Sequence, residues 1–313
     1  MATVRWLLVG VGDIATKRVI PAILAEPRSA LYGLVTRDLK KAEAYPGIAA
    51  WAILDAALQD DAIDAVYIAS PVALHAEQTI ACLKAGKHVL CEKPVAMDFV
   101  QAETMAAVQR ETGLLLGVSY YRRLYPKLVR AKLLIAEGAI GKPVLVEANS
   151  HSWLESEDRG WLRDPALAGG GPLYDIGSHR IDAMNFLFGQ PLRATGMMSN
   201  AVHDMKVEDS ATALIEYAGG VHGVVDVRWN SRVSRDQFRV IGTDGEIVLD
   251  ALNGPLLRVA GREEILPPHE NVHYPLVANF VDAVLDGAAL ACPIEEAIWT
   301  DWVTGEVMLT GKL

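Results

Sequence analysis

The segment GGGPLYDIGSHRID, residues 169–182, carries an acid and a histidine four residues apart on a predicted helix. On a helix this spacing brings Asp175 and His179 to one face, where a carboxylate can orient an imidazole for proton transfer. Asp182, three residues after His179, lies on roughly the same face and is a second candidate partner. A structural interpretation also fits, with Asp175 as a favourable first-turn acid after Pro172 and His179 as a buried, hydrogen-bonded histidine. Glycines before a helix are also typical of a phosphate-binding loop.

A second glycine-rich segment, GVGDIA at residues 10–15, follows an apolar predicted strand and precedes a predicted helix. Gly10 permits a tight turn, Gly12 lets the backbone approach a pyrophosphate, and Ala15 lets the helix pack closely on the strand. This pattern predicts a dinucleotide-binding loop. Its predicted cofactor-binding residues are Gly10, Gly12, Asp13 and Ile14.

The end of the second predicted strand bears on the choice between NAD and NADP. An NAD site usually has an acid there for the ribose hydroxyls, but this chain has Thr36 and Arg37. Threonine can hydrogen-bond a 2′-phosphate, and arginine can pair with it or stack on adenine. Lys40 and Lys41 add positive charge and Asp38 reduces it. The segment therefore favours NADP over NAD, with a solvated first helical turn as the alternative.

A third group of polar residues, Glu92-Lys93-Pro94, follows the apolar strand HVLC directly. Ligands of an open parallel sheet bind beyond the carboxyl ends of its strands, so Lys93 is expected to point toward the nicotinamide. A lysine there can stabilise developing alkoxide charge on a substrate. The alternative is an ordinary polar strand exit that Pro94 terminates.

These motifs sit on a regular alternation of short apolar strands and helices, which predicts an α/β fold with a doubly wound parallel sheet. The predicted strands are Val4–Val9, Leu31–Val35, Asp64–Ala69, His88–Cys91 and Leu114–Val118. We assign residues 1–119 to an NAD(P)-binding Rossmann domain.

After residue 119 the pattern changes to longer strands that alternate apolar and polar residues. VLVEANSH, ATALIEYA, HGVVDVRWN, FRVIG and EIVLDA are the main examples. This period of two predicts a mainly antiparallel sheet with one covered face. Residues 120–313 are therefore assigned to an α+β domain, with helices predicted near residues 276–286 and 295–310.

Composition narrows the class of partner. Lys and Arg number 29, Asp and Glu 39, and the net charge is -10, which argues against nucleic acid and anionic membranes and leaves a small molecule as the natural partner. No apolar stretch reaches the roughly 18 residues of a membrane span. The 3 cysteines are widely separated and lack metal-ligand spacing, so we expect no metal and a cytoplasmic location.

Four segments together resemble the glucose-fructose oxidoreductase and inositol dehydrogenase family of NAD(P)-dependent enzymes. They are GVGDIA, SPVALHAEQTIACLKAGKHVLCEKPVA (70–96), YRRLYP (121–126) and GGGPLYDIGSHRIDAMNFLFG (169–189). The resemblance spans nearly the whole chain. It implies a Rossmann domain followed by an α/β domain with an open sheet, and substrates that are sugars, cyclic polyols or related diols and ketones. The open, mainly antiparallel sheet of residues 120–313 would bind the substrate and mediate oligomerisation into homodimers or homotetramers.

The resemblance further implies roles for individual residues. Lys93 would lie beside the reacting carbon, with a cis peptide before Pro94, and Glu92 would approach the nicotinamide ribose. Asp175 and His179 would be catalytic.

Other residues would line the cofactor. Ser70, Pro71 and His75 would do so near the fourth strand, although His75 could instead be a helix-start histidine that satisfies backbone groups. Arg122 and Arg163 match arginines that approach the cofactor or bridge domains in such enzymes.

The predicted reaction is reversible hydride transfer, with His179 as the general base or acid, Lys93 polarising the oxygen, and Asp175 orienting the hydroxyl or His179. Because residues 10–15 already provide the phosphate loop, Gly169–Gly171 is expected to be a flexible approach to the nicotinamide. Two alternatives remain: a regulator that binds dinucleotide without turnover, and a glycoside hydrolase with tightly bound NAD.

Overall fold

The computed structural model describes residues 2–155 and 157–311 and divides the chain into two compact units. The first contains the described residues through Tyr121 together with His269–Ala297, and the second contains Arg122–Pro268 together with the described residues from Ile298 onward. The helices are α1 Ile20–Ala25, α2 Leu54–Ala57, α3 His75–Lys84, α4 Phe99–Thr112, α5 Pro126–Ala136, α6 Pro165–Ala168, α7 Ser178–Phe188, α8 Tyr274–Asp286 and α9 Ile294–Thr310. Short 3-10 helices occupy Leu39–Ala44, Val72–Leu74, Tyr121–Leu124, Glu157–Arg163 and Ala218–Gly220, and π-helical turns occupy Ala15–Val19 and Leu173–Gly177.

The first unit is built on a six-stranded sheet with the strand order β3-β2-β1-β4-β5-β6. Its strands are β1 Val4–Val9, β2 Ser29–Val35, β3 Ala49–Trp51, β4 Ala65–Ile68, β5 His88–Cys91 and β6 Leu116–Val118. Every pairing is parallel. The strand order reverses between β1 and β4, which is where doubly wound sheets bind their ligands. The predicted Rossmann sheet is therefore confirmed.

Local signals in the sequence explain where helix α4 begins and ends. Helix α4 begins after Asp98, whose side chain accepts the N–H of Gln101 at 2.8 Å, and it ends at Gly113 with φ of 67°. Such an N-cap acid and left-handed glycine are standard helix boundaries.

Residues 269–297 belong to the first unit, although the sequence analysis grouped them with residues 120–313. Helix α8 packs there through Phe280, whose ring centroid lies 5.3 Å from that of Trp6 in β1. Arg28 adds ion pairs to Asp282 and Asp286 of the same helix. The apolar face of α8 predicted burial, but nothing in its local pattern indicated which sheet would cover it.

The second unit contains an eight-stranded sheet with the order β14-β13-β12-β11-β7-β10-β9-β8. Its strands are β7 Pro143–Trp153, β8 Pro191–Ser199, β9 Ser210–Tyr217, β10 Val221–Arg228, β11 Asn230–Gly242, β12 Glu246–Asp250, β13 Leu256–Val259 and β14 Arg262–Ile265. Only the β7–β10 pairing is parallel. The mainly antiparallel sheet expected from the alternating pattern is confirmed.

Burial follows the predicted alternation along these strands. In β10, Gly223, Val225 and Val227 are buried, whereas the residues between them are partly exposed. One face of the sheet is thus covered and the other is partly open. Within the described residues, no helix is both long and apolar enough to cross a bilayer.

Candidate active site

The GVGDIA loop connects β1 to the following helical turn. The N–H of Gly10 bonds to the carbonyl of Val35 at 2.9 Å, and its φ is +92°. A Cβ at Gly10 would lie 2.7 Å from the carbonyl oxygen of Ala69, so only glycine fits there. A Cβ at Gly12 would meet no atom within 4 Å. The loop therefore leaves open space beside Gly12, as a bound pyrophosphate requires.

The start of the following helical segment is exposed. Ile14 is 39% exposed, and Asp13 pairs with Lys17 at 2.8 Å. The π-helical turn Ala15–Val19 comes next, a rare geometry that is frequent at functional sites. Asp13 and Ile14 are thus accessible at the loop, as cofactor-binding residues must be.

Neither of the two residues that follow β2, Thr36 and Arg37, has an acidic side chain. Thr36 Oγ1 hydrogen-bonds the backbone of Asp38, and Arg37 is exposed. The Asp38 carboxylate accepts a backbone N–H at 3.2 Å and so caps the following 3-10 helix. Lys41 Nζ donates to the carbonyl of Val11 at 3.1 Å, which places a positive charge against the glycine loop.

Ser70, Pro71 and His75 follow β4. Ser70 donates its hydroxyl to Gln78 at 2.6 Å, and Pro71 is partly exposed. His75 is 1% exposed, and its ring nitrogens lie 2.9 Å from the carbonyl oxygens of Ser70 and Pro94. Burial lowers the pKa of His75, and the two carbonyls act in the opposite direction. This geometry matches the backbone-satisfying role left open above, and a cofactor contact stays a prediction.

Glu92 and Lys93 follow β5. Lys93 is partly exposed, its peptide bond to Pro94 is cis, and its N–H donates to Glu92 Oε2 at 3.2 Å. Glu92 is 7% exposed, and its carboxylate Oε1 accepts hydrogen bonds from Tyr67 and Ser119. Neither Tyr67 nor Ser119 was predicted at this site, since Tyr67 lies within a predicted strand and Ser119 only follows one.

The structure thus gathers all predicted sites of the first unit at one edge of its sheet. They lie beyond the carboxyl ends of four parallel strands: β1 (Gly10, Gly12, Asp13, Ile14), β2 (Thr36, Arg37), β4 (Ser70, Pro71, His75) and β5 (Glu92, Lys93). The open glycine loop at this edge fits a dinucleotide.

In the second unit, Asp175 and His179 lie on consecutive helical segments. Asp175 belongs to the π-helical turn Leu173–Gly177 and is partly exposed, whereas His179 is in α7 and is 5% exposed. The second π-helical turn of the described chain therefore also falls on a predicted site.

Asp182 forms a buried salt bridge with Arg123. Arg123 Nε lies 3.1 and 3.0 Å from the two carboxylate oxygens, and its Nη2 lies 2.7 Å from Oδ1. Both side chains are 1% exposed. The carboxylate of Asp182 is therefore engaged by a guanidinium, a contact that spacing along the chain could not predict.

The three glycines before α7 are buried and closely packed. A Cβ at Gly169 or Gly170 would lie 2.7 Å from the Tyr174 ring, and one at Gly171 would lie 2.1 Å from the carbonyl oxygen of Glu208. These glycines therefore serve close packing rather than flexibility, and their proximity to the nicotinamide stays a prediction. Each position lacks the space that any larger residue would need.

Glu208 holds this loop and was missed in the sequence. Its carboxylate accepts the N–H groups of Gly171 at 2.9 Å and Leu173 at 3.0 Å. Burial raises the pKa of Glu208, and these two N–H groups lower it. The signal in the sequence was the acidic pair at 208–209 before a strand, but its partners lie 35 and 37 residues away.

The two remaining predicted arginines lie in the second unit. Arg122 is 7% exposed and donates through Nε to Asn253 at 3.0 Å. Arg163 ends the 3-10 helix Glu157–Arg163 and is partly exposed. Their contact with cofactor stays a prediction. No group of three potential metal ligands occurs among residues 2–155 and 157–311.

Sequence comparison identifies both parts of the chain. Residues 4–120 match the oxidoreductase family with an NAD-binding Rossmann fold, and residues 128–248 match the GFO/IDH/MocA C-terminal domain. The chain belongs to the GFO/IDH/MocA oxidoreductase family. This membership confirms the resemblance described above.

Relatives in this family are named as sugar reductases. The chain is 29% identical over 309 residues to 1,5-anhydro-D-fructose reductase of Ensifer adhaerens, covering 95% of this chain and 92% of that protein. It is 33% identical over 298 residues to dTDP-3,4-didehydro-2,6-dideoxy-alpha-D-glucose 3-reductase of Streptomyces violaceoruber, covering 90% and 86%.

A solved structure agrees with these relatives. The 3-ketoreductase of Actinomadura kijaniata, in complex with NADP and TDP-benzene, matches with a TM-score of 0.84 and 26% identity over 98% of each chain. The protein is therefore an NAD(P)-dependent dehydrogenase or reductase of CH–OH groups, and these names do not favour a regulator or a glycoside hydrolase.

Proposed function

We propose that the enzyme catalyses reversible hydride transfer between NADP and a secondary alcohol or ketone of a sugar, cyclic polyol or related diol. The observation that carries the proposal is the location of Lys93 at the carboxyl end of β5, on the sheet edge that also presents the open loop at Gly12. Bound dinucleotide supplies the hydride donor or acceptor at this edge.

Residues of the chain polarise the substrate oxygen and transfer the hydroxyl proton. Lys93 polarises the substrate oxygen through its ammonium group, which favours the developing negative charge. His179 takes the hydroxyl proton in oxidation and returns it in reduction. Asp175 orients His179 or the substrate hydroxyl, because Asp182 is already engaged by Arg123.

The residues after β2 support NADP rather than NAD. Arg37 is exposed, Lys41 reaches the glycine loop, and Asp38 is used as a helix cap, so this edge presents net positive charge to a 2′-phosphate. Arg37→Ala should weaken NADPH binding much more than NADH binding in fluorescence titrations. Arg110→Ala, the same change at an exposed position on α4, should affect neither. Equal losses for both cofactors would remove Arg37 from 2′-phosphate recognition.

The catalytic role of His179 is tested by His179→Asn in a screen of sugar, inositol and ketone substrates with both cofactors. Turnover should fall by roughly 10²-fold or more while NADPH binding persists. His222→Asn is the matched control, because His222 is exposed on β10. Unchanged turnover in the His179 variant would exclude it from proton transfer.

We further propose that the partly open sheet face mediates a homodimer or homotetramer. Leu214 of β9 is 51% exposed there and pairs across the strands with Val224. Exposed apolar side chains on an open sheet face are candidates for contact with a second copy of the chain. Leu214→Glu should lower the mass measured by light scattering, and an unchanged mass would place the interface elsewhere.

A further inference from the structure

The Glu92 carboxylate is buried, and three donors converge on one of its oxygens. Oε1 accepts from Tyr67 Oη at 2.7 Å, Ser119 Oγ at 3.0 Å and His273 Nε2 at 3.1 Å. Oε2 accepts the backbone N–H of Lys93 at 3.2 Å. Both oxygens are therefore occupied by donors from the first unit, and the carboxylate has a single well-defined orientation.

These contacts stabilise the ionised form of Glu92. Burial raises the pKa of Glu92, but the hydrogen bonds from His273 and Tyr67 and the nearby positive charges outweigh burial and lower the pKa to about 2. The carboxylate is thus ionised at any pH at which an enzyme of this kind works. A buried anion of this type depends on each of its donors.

His273 differs from the other two donors in its origin. Tyr67 lies in β4 and Ser119 follows β6, so the sheet ladder fixes both. His273 is 181 residues from Glu92 in sequence and precedes α8. It is the donor that ties the returning segment 269–297 to the turn after β5.

The ring of His273 is held in place for this contact. It is 1% exposed, its backbone N–H donates to Asn271 Oδ1 at 3.1 Å, and its ring centroid lies 4.9 Å from that of Tyr121. Within the described part of the chain, Nδ1 has no hydrogen-bond partner. The bond to Glu92 is therefore the polar contact that defines the ring's role, with the proton on Nε2.

From these contacts we infer that His273 is a positioning residue for the proposed hydride transfer and acts on Lys93 through Glu92. The Glu92 carboxylate that accepts the hydrogen bond from His273 also accepts the backbone N–H of Lys93. On the other side of Lys93, the carbonyl oxygen of Pro94 lies 2.9 Å from Nδ1 of His75. The backbone of Lys93 is thus anchored on both sides. Because small displacements of a reacting group cost large factors in rate, losing one anchor lowers turnover without removing any group that touches substrate.

The test compares His273→Leu, which removes the donor at similar volume, with His273→Gln, which keeps an N–H donor. The probes are NADPH and the best ketone from the substrate screen. His273→Leu should lower kcat by about tenfold or more, leave KM and NADPH affinity within about twofold, and raise the deuterium isotope effect on hydride transfer. His273→Gln should recover most of kcat.

Two outcomes separate failure of the inference from failure of the proposed function. If the wild-type enzyme turns over and His273→Leu has the same kcat per NADPH-binding site, the inference fails while the proposed function stands. No wild-type turnover on any substrate of the screen overturns the proposed function and the inference with it. If His273→Leu does not fold, His273→Asn, whose shorter side chain cannot span to Glu92, replaces it with the same expected loss of kcat.

Discussion

Replacing Asp182 with alanine should leave the Arg123 guanidinium buried without its anion. The pair makes three contacts of 2.7 to 3.1 Å, and both side chains are 1% exposed. Water cannot rehydrate the arginine unless the surrounding structure opens. Removing one partner of such a pair costs about 3–5 kcal/mol of unfolding free energy. We expect Asp182→Ala to lower the free energy of unfolding by an amount in this range.

A double variant tests whether the loss of stability comes from the uncompensated charge of Arg123. Arg123→Met combined with Asp182→Leu replaces both charges by apolar side chains of related size. Buried ion pairs often exchange for apolar residues at little net cost, so this double variant should recover most of the lost free energy. A second double variant, Arg123→Met with Asp182→Ala, distinguishes a stranded charge from a cavity, because it removes the guanidinium charge but leaves the space at residue 182 unfilled.

Urea unfolding followed by tryptophan fluorescence and far-ultraviolet circular dichroism measures these changes. The chain has 7 tryptophans, which supply the fluorescence signal. A loss below about 1 kcal/mol in Asp182→Ala, or a double variant as unstable as the single one, would refute the reasoning.

The same variants decide which acid serves His179. The folded Arg123→Met, Asp182→Leu enzyme should keep its turnover, because Asp182 is assigned to Arg123. Asp175→Asn should lose turnover with little loss of stability, because Asp175 is partly exposed. The opposite pattern would assign catalysis to Asp182.

Two further predictions concern other parts of the chain. Gly10→Ala should destabilise the first unit and abolish NADPH binding, because its Cβ would lie 2.7 Å from the Ala69 carbonyl oxygen. Gly12→Ala should fold normally and only weaken NADPH binding, because its Cβ would meet no atom within 4 Å. Equal urea midpoints for the two variants would contradict this prediction. Burial lowers the pKa of Lys127 from 10.5 to about 8, so the folded state binds this proton less tightly than the unfolded state. Stability from this group should therefore rise between pH 8 and 10.5, and Lys127→Met should flatten the rise in urea midpoints; an unchanged slope would count against it.

The sequence predicted elements whose signals are local. Strands Val4–Val9 and His88–Cys91 have the same bounds in the structure as in the sequence analysis. Their apolar runs lie within the strands themselves. Because parallel strands share one carboxyl edge, the positions of Gly12 and Lys93 at that edge also followed from the sequence.

Contacts between distant segments could not be predicted in this way. The location of α8 in the first unit depends on which sheet offers a complementary surface, and β8 was missed because its residues do not alternate cleanly. His273 shows the same limit. Its type and position gave no sign of Glu92, because the two meet only after the chain returns to the first sheet.

Four acidic residues at or near the predicted sites differ in burial and in the number of hydrogen bonds that they accept. Glu92 is fixed by four donors of the first unit, Asp182 by Arg123, and Glu208 by two backbone N–H groups of the glycine loop. Each of these carboxylates holds structure in place. Unlike Glu92, Asp182 and Glu208, Asp175 lies on a π-helical turn, the kind of local geometry that recurs at functional sites, and it is partly exposed. This contrast, which spacing on a helix could not provide, is the physical reason why we propose Asp175, rather than Asp182, as the acid that works with His179.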